Sequence, residues 1–132
     1  MDMQTAPAAH RAHLAGNILS GFAATFLAFD GVMKLANPAP VMEAMQQLGY
    51  ADSAAFGIGL LLIACTILYV IPRTAVLGAI LLTGYLGGAT ASHVRVQAGL
   101  FPILFPAIFG LLVWAGLYLR DDRLRSLLPL RK

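Results

Sequence analysis

Charge is what this chain most lacks. Asp, Glu, Lys and Arg make up 11% of its 132 residues, against about 25% in a soluble domain. With 59% of residues hydrophobic and a mean hydropathy of +0.78, too few polar side chains exist to coat a globule in water. That excludes an ordinary soluble domain and points to a surface that faces lipid. Short stretches of alternating polarity, about ten residues each, are also missing, which argues against a β-barrel. Cysteine occurs once, at Cys65. A disulfide within the chain is therefore excluded, and with it a dithiol relay; Cys65 reads as a small apolar residue in the middle of a helix. There is no paired-histidine metal signature, nucleophile elbow or glycine-rich phosphate loop. His10 and His13 share a helical spacing but lack further ligands nearby. No autonomous catalytic motif is present and no metal is expected.

What the chain does have is long apolar runs. Four of them cover residues 14–35, 53–71, 74–96 and 100–119, each close to the ~20 residues a helix needs to cross a ~30 Å hydrocarbon core. Helices satisfy their own backbone hydrogen bonds, which lipid cannot do. The first run is too long for the apolar core of a signal peptide, and no small-residue cleavage site precedes Asp30, so it reads as a span. Residues 1–13 read as a mobile tail and 120–132 as a cytoplasmic one. Between the first two runs, Asn37-Pro38-Ala39-Pro40 breaks the helix. Val41, Met42, Met45 and Leu48 then recur at helical spacing with Glu43, Gln46 and Gln47 between them, and Gly49 follows as a C-cap. This is the pattern of a short amphipathic helix in the interface, with Tyr50 as an aromatic anchor. The other connections, at Pro72-Arg73 and near residues 97–102, are short and make their helices antiparallel neighbours. The expected fold is all-α. It is a single membrane domain, a four-transmembrane-helix antiparallel bundle with a short amphipathic helix between helices 1 and 2.

Four crossings put Arg11, Arg73, Arg120, Arg123, Arg125, Arg131 and Lys132 on one side and only Lys34 and Arg95 on the other. The positive-inside rule then places both termini in the cytoplasm of a bacterial cytoplasmic (inner) membrane. The net charge of +3 is a topology signal beside anionic headgroups, not the footprint of a nucleic-acid binder. The lipid bilayer is the one partner this composition requires.

Helices in lipid associate through small residues. Helix 1 carries Ala12, Gly16, Ser20, Ala24 and Ala28 at every fourth position. The third run carries two such rows, Ala75, Ala79, Thr83, Gly87 and Ala91 beside Gly84, Gly88 and Ser92. These rows predict that the third run is the most enclosed helix of the bundle. Gly84 and Gly88 also suit a homo-oligomer contact.

With this topology Asp30, Lys34, Asn37, Glu43, His93, Arg95 and Gln97 gather at the outer leaflet. Charges are costly at membrane depth, so Asp30 and Lys34, one helical turn apart, form the leading site candidate. One reading makes the cluster interfacial anchoring, in which long cations snorkel. The other makes it the mouth of a pocket for a molecule with an apolar body and an oxygen-bearing head, such as a quinone, a lipid or a small anion. In that pocket Asp30, Lys34, Glu43, His93 and Arg95 are the candidate ligand-binding residues. Lys34 or Arg95 would hold oxygen atoms and His93 would exchange a proton. On a regular helix His93 and Arg95 point about 160° apart, so both facing one pocket requires fraying. Tyr85 and Thr83 read as interhelix hydrogen bonders, and Trp114 and Tyr118 as packing and interface residues.

The stretch PRTAVLGAILLTGYLGGATASHVR from Pro72 to Arg95, with FDGVMKL from Phe29 and GLYLRDDRLRSLLP from Gly116, resembles the DoxX-like small membrane proteins. The resemblance covers about residues 16–128. It implies a four-helix membrane protein, and the wider group includes a subunit of a thiosulfate:quinone oxidoreductase and members of oxidative-stress complexes. A quinone-linked role, as an accessory subunit alongside another membrane or redox protein, is what it suggests; it carries over no catalytic residues. The alternative expectation is a non-catalytic structural or assembly subunit. A small transporter is a third, which would need to oligomerise.

Overall fold

A computed structural model describes residues 5–51 and 53–127. Arg131 and Lys132, used above for the topology, lie outside the described residues. Six helices follow in order: α1 (Thr5–Ala36), α2 (Ala39–Gln47), α3 (Ala54–Val70), α4 (Ala75–Arg95), α5 (Leu100–Arg120) and α6 (Asp122–Leu127). No strand occurs among the described residues. Three helices are long and apolar enough to cross a membrane, His10–Ala36, Ala75–Arg95 and Leu100–Arg120; Ala54–Val70 is a shorter apolar helix. α1 begins at Thr5, so the segment expected as a mobile tail is helical from there on.

The breaks fall where backbone chemistry requires them. α1 stops at Asn37, which adopts φ 52°, a left-handed conformation that asparagine tolerates better than most residues; Pro38 and Pro40 then open α2. Gly49, at φ 85°, closes α2. Its own N–H donates to Gln46 O and that of Tyr50 to Met45 O, so the glycine takes the turn a side chain would strain. Asp121 ends α5 and caps α6, its Oδ1 accepting from Arg123 N at 2.9 Å and Leu124 N at 3.3 Å.

α1 packs on α3 and α5, and α4 packs on the same two. Small residues set the approach. A Cβ on Gly16 would fall 2.7 Å from Gly116 O and Arg120 N, and one on Gly59 would fall 2.7 Å from Gly31 O. A Cβ on Gly78 would overlap the backbone of Leu68 and Tyr69. Gly16, Ser20 and Ala24 all lie buried on α1. The core they enclose centres on Tyr69, Leu62, Leu82, Leu117 and Val113. Within it the Tyr69 hydroxyl donates to Val113 O at 2.7 Å, which leaves Ser20 Oγ, 2.9 Å away, to donate to Tyr69. The Arg120 guanidinium lies over the Tyr69 ring, 4.8 Å from its centre, and donates to Tyr69 O at 2.8 Å.

α4 departs from the enclosure its small residues predicted. Ala75, Gly78, Ala79, Leu82 and Leu86 are buried, but Thr83, Gly84, Gly87, Gly88 and Ala91 are exposed. A Cβ on Gly84, Gly87 or Gly88 would meet nothing within 4 Å. Among the described residues these glycines therefore have no packing partner. The reason is one of phase: these positions lie beside the buried Leu82 and Leu86 and not on their face, and of them Thr83 still reaches α5, accepting from Trp114 Nε1 at 2.6 Å.

Candidate functional site

The second half of α4 borders a cavity of about 360 Å³. α1 contributes Phe26, Leu27, Asp30 and Lys34. The loop helix and its cap contribute Met45, Leu48 and Tyr50, and α3 contributes Ile58 and Leu61. α4 adds Tyr85, Ser92 and His93, and α5 adds Phe105 and Phe109. Polar groups collect towards the ends of α1 and α4, and the deeper wall is apolar.

Lys34 Nζ donates to Asp30 Oδ2 at 2.7 Å, with the lysine side chain 16% and the aspartate 37% exposed. The pairing follows from i,i+4 geometry. Lys34 also sits in the last turn of α1, where the orphan carbonyls favour a cation. One ammonium proton goes to Asp30, leaving two to donate. His93 is half-buried, and its Nδ1 lies 2.7 Å from Ala89 O. A carbonyl only accepts, so Nδ1 carries a proton, and in the neutral form of the ring Nε2 is the acceptor. The cavity can thus both donate to and accept from a polar head.

The apolar wall is aromatic. Phe26 stacks on Phe109 at 4.4 Å between ring centres, while Phe105 meets Phe26 edge-on at 5.6 Å and Phe109 at 5.1 Å. Such rings offer a flat apolar ligand stacking and edge contacts.

α2 is tied down beside this cavity by two links to α4. Ser92 Oγ donates to Gly88 O at 2.9 Å, so at the 2.7 Å contact between Tyr50 and Ser92 the tyrosine hydroxyl is the donor. Arg95 donates to Leu48 O, the last carbonyl region of α2. Buried Met45 completes the attachment.

Of the five candidate residues, Asp30, Lys34 and His93 come together on the cavity. Arg95 does not line it. It points away from His93, as their spacing requires, and holds α2 instead. Glu43 is exposed on α2 and does not line the cavity either. Asn37 is near the same end, its Oδ1 buried without a partner among the described residues. Residue reading passed over Tyr50 and Tyr85 as site residues, and over the phenylalanines. The phenylalanines had left a signal: Phe22 and Phe26, and Phe101, Phe105 and Phe109, recur at steps of four, which puts each set on one helix face.

The opposite end holds a second hollow of about 460 Å³, bordered by Asn17, Pro72, Arg120, Asp121 and Asp122. Its carboxylates are already engaged. Asp122 pairs with His13 at 3.0 Å and with Arg125, and Asp121 caps α6.

Compared with known proteins, residues 18–116 match a family model described as the DoxX-like family. No curated protein and no solved structure matches.

Proposed function

The chain belongs to the DoxX-like family of membrane proteins, and from that premise we propose that it binds a small amphipathic molecule in the cavity beside α4. In this reading α3 is a fourth span, and the bundle is an antiparallel four-helix one in a bacterial cytoplasmic membrane with cytoplasmic termini. Contacts between neighbouring helices support the direction of the chain: Ser20 meets Tyr69 while Gly31 meets Gly59, so α1 and α3 run in opposite senses. Phe22 and Phe26 meet Phe109 and Phe105, which gives α1 and α5 opposite senses too. The polar end of the cavity is then the outer one.

The observation that carries the proposal is the joining of two chemistries in one enclosure of about 360 Å³, within the ~300–1,000 Å³ range of small-molecule pockets. Lys34 donates to an oxygen of the head, His93 Nε2 accepts from a hydroxyl, and the phenylalanines hold the apolar body. A quinone or a lipid-like molecule has this shape, and the chain would serve as the ligand-holding subunit of a redox-linked complex. Native mass spectrometry from mild detergent tests the reading. A stoichiometric small molecule should travel with the protein and be lost in Lys34→Ala and His93→Ala. Full retention by both variants would overturn it.

A second reading, an assembly subunit without a ligand, is favoured by the open glycine face of α4. The same spectra would then show another polypeptide or a second copy in place of a small molecule.

A further inference from the structure

We infer that the cavity is entered sideways from the hydrocarbon layer, through a gap in its α4 wall at Gly84 and Gly88, and that its ligand is a tailed amphiphile whose chain leaves through that gap. The inference rests on the ligand-binding reading above and adds the class of ligand and its route.

Gly84 and Gly88 both line the cavity and are both exposed. The wall at these positions is bare backbone with open space in front, since a Cβ on either would meet nothing within 4 Å. Gly21, Gly57 and Gly87 are equally open, but only Gly84 and Gly88 also line the cavity; at Gly116 and Gly31, by contrast, glycine allows two helices to touch. A Cβ on Gly116 would stand 2.5 Å from Ser20 Oγ, and one on Gly31 would stand 2.7 Å from Ile63 Cγ1. No neighbour explains Gly84 or Gly88 in that way, although glycine is a poor choice for a helix interior. What their missing side chains do provide is an opening. Leu61 of α3 also lines the cavity and remains 56% exposed, so the opening lies between α3 and α4.

Depth decides what passes. At 1.5 Å per residue, Gly84 lies roughly 13 Å along α4 from His93. It falls near the middle of a helix long and apolar enough to cross the membrane. At the polar end, Tyr50 and Arg95 tie α2 to α4 and Met45 is buried there. The covered end therefore faces the interface and the uncovered side faces lipid tails. At about 360 Å³ the cavity is at the small end of the usual ~300–1,000 Å³ range. It can seat a ring-sized head and the start of a chain, and the remainder of a long chain has only the gap to occupy.

The full chain in lipid nanodiscs tests this with two probes of one head and different tails, 4-ethylphenol and 4-dodecylphenol. Affinity is read as the ratio of variant to wild type for each probe, which cancels partitioning of the probe into lipid. Gly84→Leu and Gly88→Leu should weaken 4-dodecylphenol about tenfold or more while changing 4-ethylphenol less than about threefold. Gly87→Leu, on the same helix but off the cavity, should change neither. Equal losses for both probes would make these glycines part of a closed wall and overturn the gap, as would no loss for either. An effect of Gly87→Leu as large as that of Gly84→Leu would assign the face to contact between copies, also overturning it. Should the leucine variants not fold, Gly84→Ala combined with Gly88→Ala must still weaken the long probe selectively, and equal affinities there would refute the gap. Failure of the wild-type protein to bind either phenol would instead remove the ligand-binding reading itself.

Discussion

The two halves of α4 use glycine and alanine in opposite ways. In the first, Gly78 lies so close to the Leu68–Tyr69 backbone that no side chain would fit, and Ala75 and Ala79 are buried beside it. In the second, Gly84, Gly87 and Gly88 stand open, and two of them border the cavity. One small-residue row, Ala75, Ala79, Thr83, Gly87 and Ala91, runs through both halves, with Gly78 beside it in the first and Gly84 and Gly88 beside it in the second. What differs is the neighbour: the tight α3–α4 turn presses against Gly78 in the first half, whereas among the described residues no atom comes within 4 Å of a Cβ at Gly84, Gly87 or Gly88 in the second. Small residues in a membrane helix thus signal either contact or opening, and only the partner's position distinguishes them.

The largest expected effect contrasts the two halves directly. Gly78→Ala forces a Cβ into backbone that has no room to move and should cost about 3 kcal/mol, the upper part of the usual overpacking range. Loss of monodisperse protein on fluorescence-detected size exclusion, with a lower melting temperature, would register it. Tyr69→Phe sharpens the contrast from within the closed end. It strips the hydroxyl that bonds Val113 O and Ser20 and should cost about 1–3 kcal/mol by leaving buried groups unpaired, read as a thermal shift in detergent. Lys34→Ala probes the open half. Ligand affinity should fall about tenfold, or about 1.4 kcal/mol, with little change in melting temperature; a large loss of stability would mean the pair serves the fold. Gly84→Ala is the mirror of the first variant. It should be neutral or stabilising by about 0.5–1 kcal/mol, and equal destabilisation by Gly78→Ala and Gly84→Ala would break the comparison. Smallest of all, Tyr50→Phe removes an exposed hydrogen bond to Ser92 at a cost near 0.5 kcal/mol. Hydrogen exchange should rise in α2 and leave α3 unchanged.

Much of the helix order was legible because it is written in local terms. Apolar runs end at Asn37-Pro38 and near Pro72, and Gly49 follows an amphipathic stretch, so helix breaks and the loop helix could be read residue by residue. The Asp30–Lys34 pair was legible for the same reason, since i,i+4 contact needs no partner helix. The closed end was not. Tyr69 draws its partners from Ser20 and Val113, 49 and 44 residues away, and no spacing within a segment reveals that. Arg95 and His93 illustrate the middle ground. Helical phase rightly separated them, but which of the two faces the cavity depends on where α2 folds back. Glu43 was grouped with the others by the crossing topology alone, which places it at the same end but does not say which face of α2 carries it; it is exposed and off the cavity.

One further consequence concerns the membrane and not the ligand. α3 has 17 residues, or about 25 Å of helix, against a hydrocarbon thickness of ~30 Å. In the proposed four-span arrangement, α3 falls short of the bilayer on the flank that carries the inferred gap. Lipid there must compress locally, or the helix must draw flanking polar groups inward, at a fraction of a kcal/mol per Å. Thinner bilayers should therefore suit this protein better than thick ones, and the acyl chains around it should act as a setting on its stability that no residue of the chain encodes alone.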